Sequence, residues 1–178
     1  MLKKTLLAAV LATAALPALA GDLTLAATEH GGFISRTATG FGPGITLDYL
    51  QSDKHGTMEA GGVGLTFSLP VPFARVDLGG KAMWIDAGGE ATAGMLGGRA
   101  TIDLPYSTEA FVQGYWAPEA AASGSVSKVS DTMAGLRWKP LPLVGIEAGW
   151  REFKVERNDS RRDRKIADGA YLGASIGF

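Results

Sequence analysis

The chain contains two histidines, His30 and His55, each in a short polar stretch between alternating segments. A histidine beside a hydroxyl and a carboxylate can act as a general base in acyl transfer or hydrolysis. The side chains that supply such groups nearby are Glu29, Ser35, Ser52 and Asp53. Ordinary polar loops contain the same residue types without a catalytic geometry. We therefore interpret both histidines as solvated loop residues and predict no catalytic site.

The sequence indicates neither metal nor nucleotide chemistry. Two histidines and no cysteine give no cluster with a recognised metal-ligand spacing, so we expect no metal and no cofactor. The paired glycines at 61–62, 79–80, 88–89 and 97–98 lack the Lys-Ser/Thr that completes a phosphate-binding loop. Acidic residues slightly outnumber basic ones, 18 against 17, which argues against a nucleic-acid partner.

The first twenty residues, MLKKTLLAAVLATAALPALA, have the pattern of a secretory signal peptide. Lys3 and Lys4 precede an apolar stretch, and the segment ends in the small-x-small sequence Ala18-Leu19-Ala20. The apolar run is too short for a membrane anchor helix. We expect cleavage between Ala20 and Gly21, which leaves one domain over residues 21–178.

The rest of the chain alternates apolar and polar residues with a period of two, as β-strands do. In the segment ARVDLGGKAMWI, Val76, Leu78 and Trp84 share one face, whereas Arg75 and Lys81 share the other. The pattern predicts ten strands, at about 22–29, 32–41, 44–52, 59–69, 73–85, 93–104, 108–117, 131–139, 143–156 and 168–178. The first two segments are the least certain, and a barrel of eight strands is the alternative.

The connections between these segments alternate in character. Tight turns are predicted at GPG (42–44), PVP (70–72), PYS (105–107) and PLP (140–142), and longer polar loops lie between them. This rhythm is typical of an antiparallel meander with short turns at one end and long loops at the other.

The two faces of the strands favour a barrel in a membrane over a water-soluble one. The more polar face is rich in glycine and mixes opposite charges, which can pair across a narrow lumen. We predict that the lumen is lined by Arg75, Asp77, Lys81, Arg99, Asp103, Arg137, Glu147 and Arg151. The tryptophans lie on the apolar face near strand ends, so we predict interface anchors at Trp84, Trp116, Trp138 and Trp150. The predicted fold class is an all-β, antiparallel up-and-down transmembrane β-barrel.

The last segment, YLGASIGF, contains no charged side chain. Its Tyr171, Gly173, Ile176 and Phe178 resemble the C-terminal signal by which bacterial outer-membrane barrels are recognised by their assembly machinery. The resemblance implies that the last strand closes the barrel against the first. It also implies that the assembly machinery is a partner during biogenesis.

The second half of the chain resembles the YfaZ family of small Gram-negative outer-membrane proteins. The resemblance is carried by DTMAGLRWKPLPLVGIEAGWREFKVERNDSRRDRKIADGAYLGASIGF, and the hairpin GVGLTFSLPVPFARVDLGGKAMWI is similar in style. It implies a small barrel located in the bacterial outer membrane. It carries no catalytic motif and therefore implies no site residues.

A basic run, RNDSRRDRK, lies in the last long loop, which a barrel would place at the outer surface. Its basic residues are Arg157, Arg161, Arg162, Arg164 and Lys165. Because guanidinium groups suit phosphate oxygens, we predict contacts with outer-membrane lipids and lipopolysaccharide. A solvated loop neutralised by Asp159 and Asp163 is the alternative.

These features favour a structural or surface-interaction protein whose lumen is largely filled by charged side chains. Eight-stranded barrels are filled by side chains, whereas porins with aqueous channels have about 16 strands, so ten strands lie near the closed end. A minor channel for ions or small solutes is the alternative, because inward glycines would widen the lumen. A lipid-A-modifying enzyme is a third hypothesis, and the oligomeric state is left open.

Overall fold

The computed structural model describes residues 21–54, 56–124, 126–157 and 163–178. Over these residues the chain forms a closed antiparallel barrel of ten strands, in which neighbours in sequence pair and β1 pairs with β10. The strands are β1 (Gly21–Thr28), β2 (Gly31–Ala38), β3 (Gly42–Ser52), β4 (Met58–Val71), β5 (Ala74–Asp86), β6 (Glu90–Leu104), β7 (Thr108–Ala117), β8 (Val126–Leu141), β9 (Val144–Arg157) and β10 (Arg164–Gly177). The predicted fold class and the ten-strand count are confirmed, and the eight-strand alternative is wrong.

Several predicted strand boundaries are wrong. The segment 42–44 lies inside β3 and not in a turn, since the chain reverses at 39–41. β6, β8 and β10 begin three to five residues earlier than predicted, at Glu90, Val126 and Arg164. These extensions lie at the loop end of the barrel, where polar and apolar side chains exchange faces. The alternation of apolar and polar residues from which the strands were predicted is therefore reversed there, and the predicted strands stop short of the loop end.

The last strand closes the barrel, as the sequence predicts. β1 and β10 pair from Asp22 opposite Gly177 to Thr28 opposite Tyr171. Beyond this ladder, the amide of Gly21 donates to the carbonyl of Phe178 at 2.8 Å, and the amide of Phe178 donates back at 3.0 Å. The seam is thus hydrogen-bonded along its full length, and neither strand presents an open edge there.

The loop between β7 and β8 covers the edge of β6 at the loop end of the barrel. β6 pairs with β7 from Leu96 onward, so its first residues extend beyond β7. After a short 3₁₀ helix, Glu119–Ala121, the chain turns back so that Ala122 forms a bridge with Ala93. The amide of Ser123 also donates to the carbonyl of Thr92 at 2.8 Å. The segment 121–124 therefore occupies the place of a missing strand.

The outer wall of the barrel is apolar and exposed. The large side chains on it include Leu65, Leu78, Leu96, Val112, Leu136, Ile146 and Leu172. A continuous apolar surface of this size is expected to contact lipid, since water-soluble monomers rarely expose one. In the part of the chain that the structure describes, no α-helix is long and apolar enough to span a bilayer.

The four tryptophans all lie on this outer wall and are partly exposed. Trp84 and Trp116 lie near the loop ends of β5 and β7, and Trp138 lies near the short turn after β8. Trp150 lies seven residues from the turn-side tip at Leu143, deeper in the wall. Their function as interface anchors stays a prediction.

Candidate functional site

A cluster of ion pairs fills the lumen near the short turns; we call it the short-turn cluster. Its centre is Arg137, whose Nε and Nη2 donate to Glu147 Oε2 at 2.8 and 2.5 Å. Arg137 also donates to Asp22, and Lys139 Nζ lies 2.8 Å from Glu109 Oε1. All three acids thus lie within reach of a cation. The cost of burying Arg137 is offset because its guanidinium has carboxylates on two sides.

A second cluster lies deeper in the lumen and consists of Asp48, Lys81, Asp131 and Arg151; we call it the central cluster. Arg151 donates to both carboxylate oxygens of Asp131, at 3.0 and 2.9 Å, and to Asp48 at 3.4 Å. Lys81 Nζ donates to Asp48 at 2.5 Å. Lys81 Nζ also lies 3.7 Å from Asp131 Oδ2, so each carboxylate contacts both cations, and the four charges sum to zero.

The remaining predicted lumen charges lie on β5 and β6. Arg99 is buried and stacks on Phe111, with its guanidinium carbon 3.7 Å from the ring centroid. Arg75 Nε lies 3.4 Å from Asp77 Oδ2, whereas Asp103 is exposed at the mouth of the lumen. The structure therefore places seven of the eight predicted residues in the lumen and the eighth at its rim.

A small polar cavity lies in the lumen among side chains of β2 to β7, beside Asp48 and Lys81 of the central cluster. Thr46, Thr66 and Asp77 contribute buried oxygens that have no hydrogen-bond partner within the protein. The cavity has a volume of about 10 Å³, which is room for on the order of one water molecule. The cavity itself is thus too small for a hydrated ion.

The lumen at the loop end is apolar, which the sequence analysis missed. We call this region the apolar cap; its large members are Leu50, Met58, Met83, Ile85, Met95, Val129, Phe153 and Val155, all buried. The prediction that charged side chains fill most of the lumen is therefore corrected. Charges fill the half near the short turns, and apolar side chains fill the other half.

The exchange of faces has a physical reason. On β9, Phe153 and Val155 point inward, while the intervening Lys154 and Glu156 lie on the outside and form an ion pair at 2.9 Å. On the turn side of Trp150 the outward side chains of β9 are apolar, as contact with lipid requires. Beyond Trp150 the outward side chains are charged, so the strand has the ordinary pattern of a soluble barrel, apolar inside and polar outside. In the sequence, this exchange of polar and apolar positions next to a tryptophan was the feature that could have revealed the apolar cap.

Several basic side chains at the loop end have hydrogen-bond partners within the protein. Lys165 Nζ donates to Glu152 at 2.6 Å, and this hydrogen bond raises the pKa of Lys165 above its usual range. Arg157 Nη1 donates to the carbonyl of Ala87 at 3.0 Å. Arg164 begins β10, whereas Arg161 and Arg162 lie outside the described residues. Lipopolysaccharide contacts by these residues stay a prediction.

The candidate catalytic residues do not form a triad in the described chain. His30 lies in the turn between β1 and β2, with Nε2 3.8 Å from Glu29 Oε1. Ser35 is buried on β2, and Ser52 Oγ accepts the amide of Lys54 at 3.4 Å. His55 lies outside the described residues. Among those that are described, no serine hydroxyl is hydrogen-bonded to His30.

One solved structure, described as "De novo design of transmembrane beta-barrels", aligns with this chain at a TM-score of 0.42 and 8% identity. The alignment covers 92% of this chain and 98% of the other.

Sequence comparisons identify the family. A model described as "YfaZ precursor" matches residues 3–178, and the word precursor agrees with the signal peptide seen in residues 1–20. The Outer membrane protein YfaZ of Escherichia coli (strain K12) is 31% identical over 179 residues, which cover 92% of this chain and 98% of the relative. Together with the lipid-facing wall, these matches locate the protein in the bacterial outer membrane. The chain belongs to the YfaZ family of outer-membrane proteins.

Proposed function

We propose that this protein is a non-conducting outer-membrane barrel that acts through its surfaces, in a structural or surface-interaction role. The observation that carries the proposal is the two-layer filling of the lumen. The ion-pair clusters occupy the half near the short turns, and the apolar cap occupies the half near the loops. An ion that entered from the loop end would have to lose its hydration shell against apolar side chains.

The proposal also excludes an enzymatic role. A general base must lie within hydrogen-bond reach of the group that it deprotonates. In the described part of the chain His30 contacts Glu29 instead of a hydroxyl. Most of the described acids and bases of the lumen are buried in ion pairs, and the polar cavity beside them has room for on the order of one water molecule.

Planar-bilayer conductance tests the proposal. Mature protein, residues 21–178, is refolded and inserted into a planar bilayer at several voltages. We expect no discrete current steps, because the cavity in the lumen admits on the order of one water molecule. The change of gel mobility on heating verifies that the barrel is folded, and a general porin in the same membrane verifies the sensitivity. Steady openings from the folded barrel would establish the channel alternative instead.

We further propose that the loop end contacts lipopolysaccharide, with the assembly machinery a partner during biogenesis. Support comes from the position of the cations: Lys154 and Lys165 lie on the outside of β9 and β10, a few residues above Trp150. The proposal puts the lipid phosphates at this level. A lysine near an anionic membrane surface contributes about 1 kcal/mol to attraction.

Lys165→Gln tests this contact. We expect binding of fluorescent lipopolysaccharide by the detergent-solubilised barrel to weaken about fivefold, as loss of one surface charge predicts. Lys165→Arg is the matched control, since it keeps the charge and should bind like the unmodified protein. Equal binding by all three proteins would show that this position does not contact the lipid.

A further inference from the structure

The short turns present a ring of exposed apolar side chains. Phe41, Phe73, Tyr106 and Leu143 occupy the four turns, and their exposed fractions are 75%, 80%, 91% and 60%. We call these four residues the turn-tip ring. Such exposure of large apolar groups at one end of a molecule marks a surface that contacts something else.

Two of these residues have an unfavourable backbone conformation. Phe73 and Tyr106 have φ values of 61° and 63°. This left-handed region is sterically unfavourable for bulky residues, and turns that require it usually contain glycine or asparagine. The aromatic side chains are therefore retained against the local preference of the turn. A contact outside the molecule would explain why.

The ring is continuous with the lipid-facing wall. Val71, Leu104 and Leu141 lie on the outside next to the turns and are exposed. The ring of Phe41 packs edge-on against Phe67 of the wall, with centroids 5.9 Å apart. The charged groups of the short-turn cluster face the lumen instead. Over the described residues, the apolar wall therefore extends to the tips without a polar belt.

The length of the wall places the tips at a membrane boundary. Phe73 lies eleven residues before Trp84, and Tyr106 lies ten before Trp116. At about 3.3 Å per residue and a tilt of about 40°, these stretches span roughly 25–28 Å. The apolar band of an outer-membrane barrel is about 25 Å tall. With the two tryptophans at the outer interface, the tips reach the inner one.

We propose that the turn-tip ring inserts into the headgroup layer of the inner leaflet, with phospholipid as its partner. The apolar rings would contact the parts of the acyl chains next to the headgroups, and the Tyr106 hydroxyl would face the headgroups. The loop end, with its outward ion pairs, lies in water. This inference goes beyond the proposed function and holds whether or not the lumen conducts.

Spin labels test the proposal directly, since the chain has no cysteine of its own. Single variants Phe73→Cys and Tyr106→Cys are labelled in phospholipid vesicles, with Glu29→Cys in an exposed turn at the loop end as the control. We expect the tip labels to collide mainly with lipid-soluble oxygen and the control label with a water-soluble nickel chelate. Nickel accessibility at the tips equal to that of the control would overturn the proposal.

A second variant distinguishes insertion into the membrane from a local effect of the turn, because the two predict opposite changes in folding stability. Phe73→Gly removes the backbone strain, so the turn alone would become more stable. If the ring inserts into the membrane, the folding equilibrium constant in vesicles should instead fall about tenfold, near the lower end of what burial of a phenylalanine contributes. Urea unfolding in phospholipid vesicles measures it. An increase would show that Phe73 makes no stabilising contact with lipid.

Discussion

Replacement of Arg137 by methionine is expected to lower the free energy of unfolding by about 3–5 kcal/mol, the usual loss when one partner of a buried ion pair is removed. Methionine has a similar volume, so packing changes little. Glu147 then keeps the hydroxyl of Tyr171, which donates to Oε1 at 2.7 Å, but loses its cation. Urea titration of the refolded barrel in phospholipid vesicles measures the change.

A double variant separates the effect of an unpaired charge from the effect of changed side-chain packing. Arg137→Met combined with Glu147→Gln removes both members of the pair, while Lys139 remains beside Asp22 at 3.4 Å. We expect the double variant to recover most of the stability that the single variant loses. A single-variant loss below about 1 kcal/mol would show that the cluster is not fully desolvated, since exposed ion pairs contribute that little.

Leu78→Arg is expected to make folding into bilayers less favourable by about 2–4 kcal/mol, the cost of an arginine on the lipid face near the midplane. Leu78 is exposed on the outer wall of β5, midway between Phe73 at the turn and Trp84 at the loop end. At that depth the guanidinium cannot reach either interface without distorting the membrane.

Leu141→Arg is the matched control. It makes the same chemical change on the same wall, but next to a short turn. There the expected loss is about 0–1 kcal/mol, because the charged end can extend to the headgroups. Equal losses at the two positions, measured by urea unfolding in the same vesicles, would contradict the assignment of this wall to lipid.

The part of the fold that spans the membrane could be predicted, because lipid and lumen impose opposite requirements on successive residues. Leu78 and Lys81 are assigned to opposite faces by the sequence alone. The apolar cap could not be found in this way. Phe153 and Val155 are residue types that also suit lipid, so composition does not reveal that they point inward.

The partners of the lumen charges were also beyond the sequence. Arg137 was identified, but Asp22, which lies 115 positions away, was not. The pairing depends on barrel closure and on the stagger of ten strands, neither of which a local pattern contains. The usable signal in the sequence was that buried charges in the lumen need partners of opposite charge. The predicted lumen list held more bases than acids, and Asp22, Asp48 and Asp131 supply the missing negative charge.

The segment 121–124 beside β6 has a consequence for how copies of this protein behave at high density in a membrane. A strand end with unpaired amide and carbonyl groups is a template on which another chain can add a strand. Ala122 and Ser123 use those groups on β6 at Ala93 and Thr92. This part of the loop thus covers an edge on which another copy could otherwise add a strand. If that loop were shortened, the backbone groups of β6 at Thr92 and Ala93 would be unpaired and could bind a strand of a neighbouring barrel.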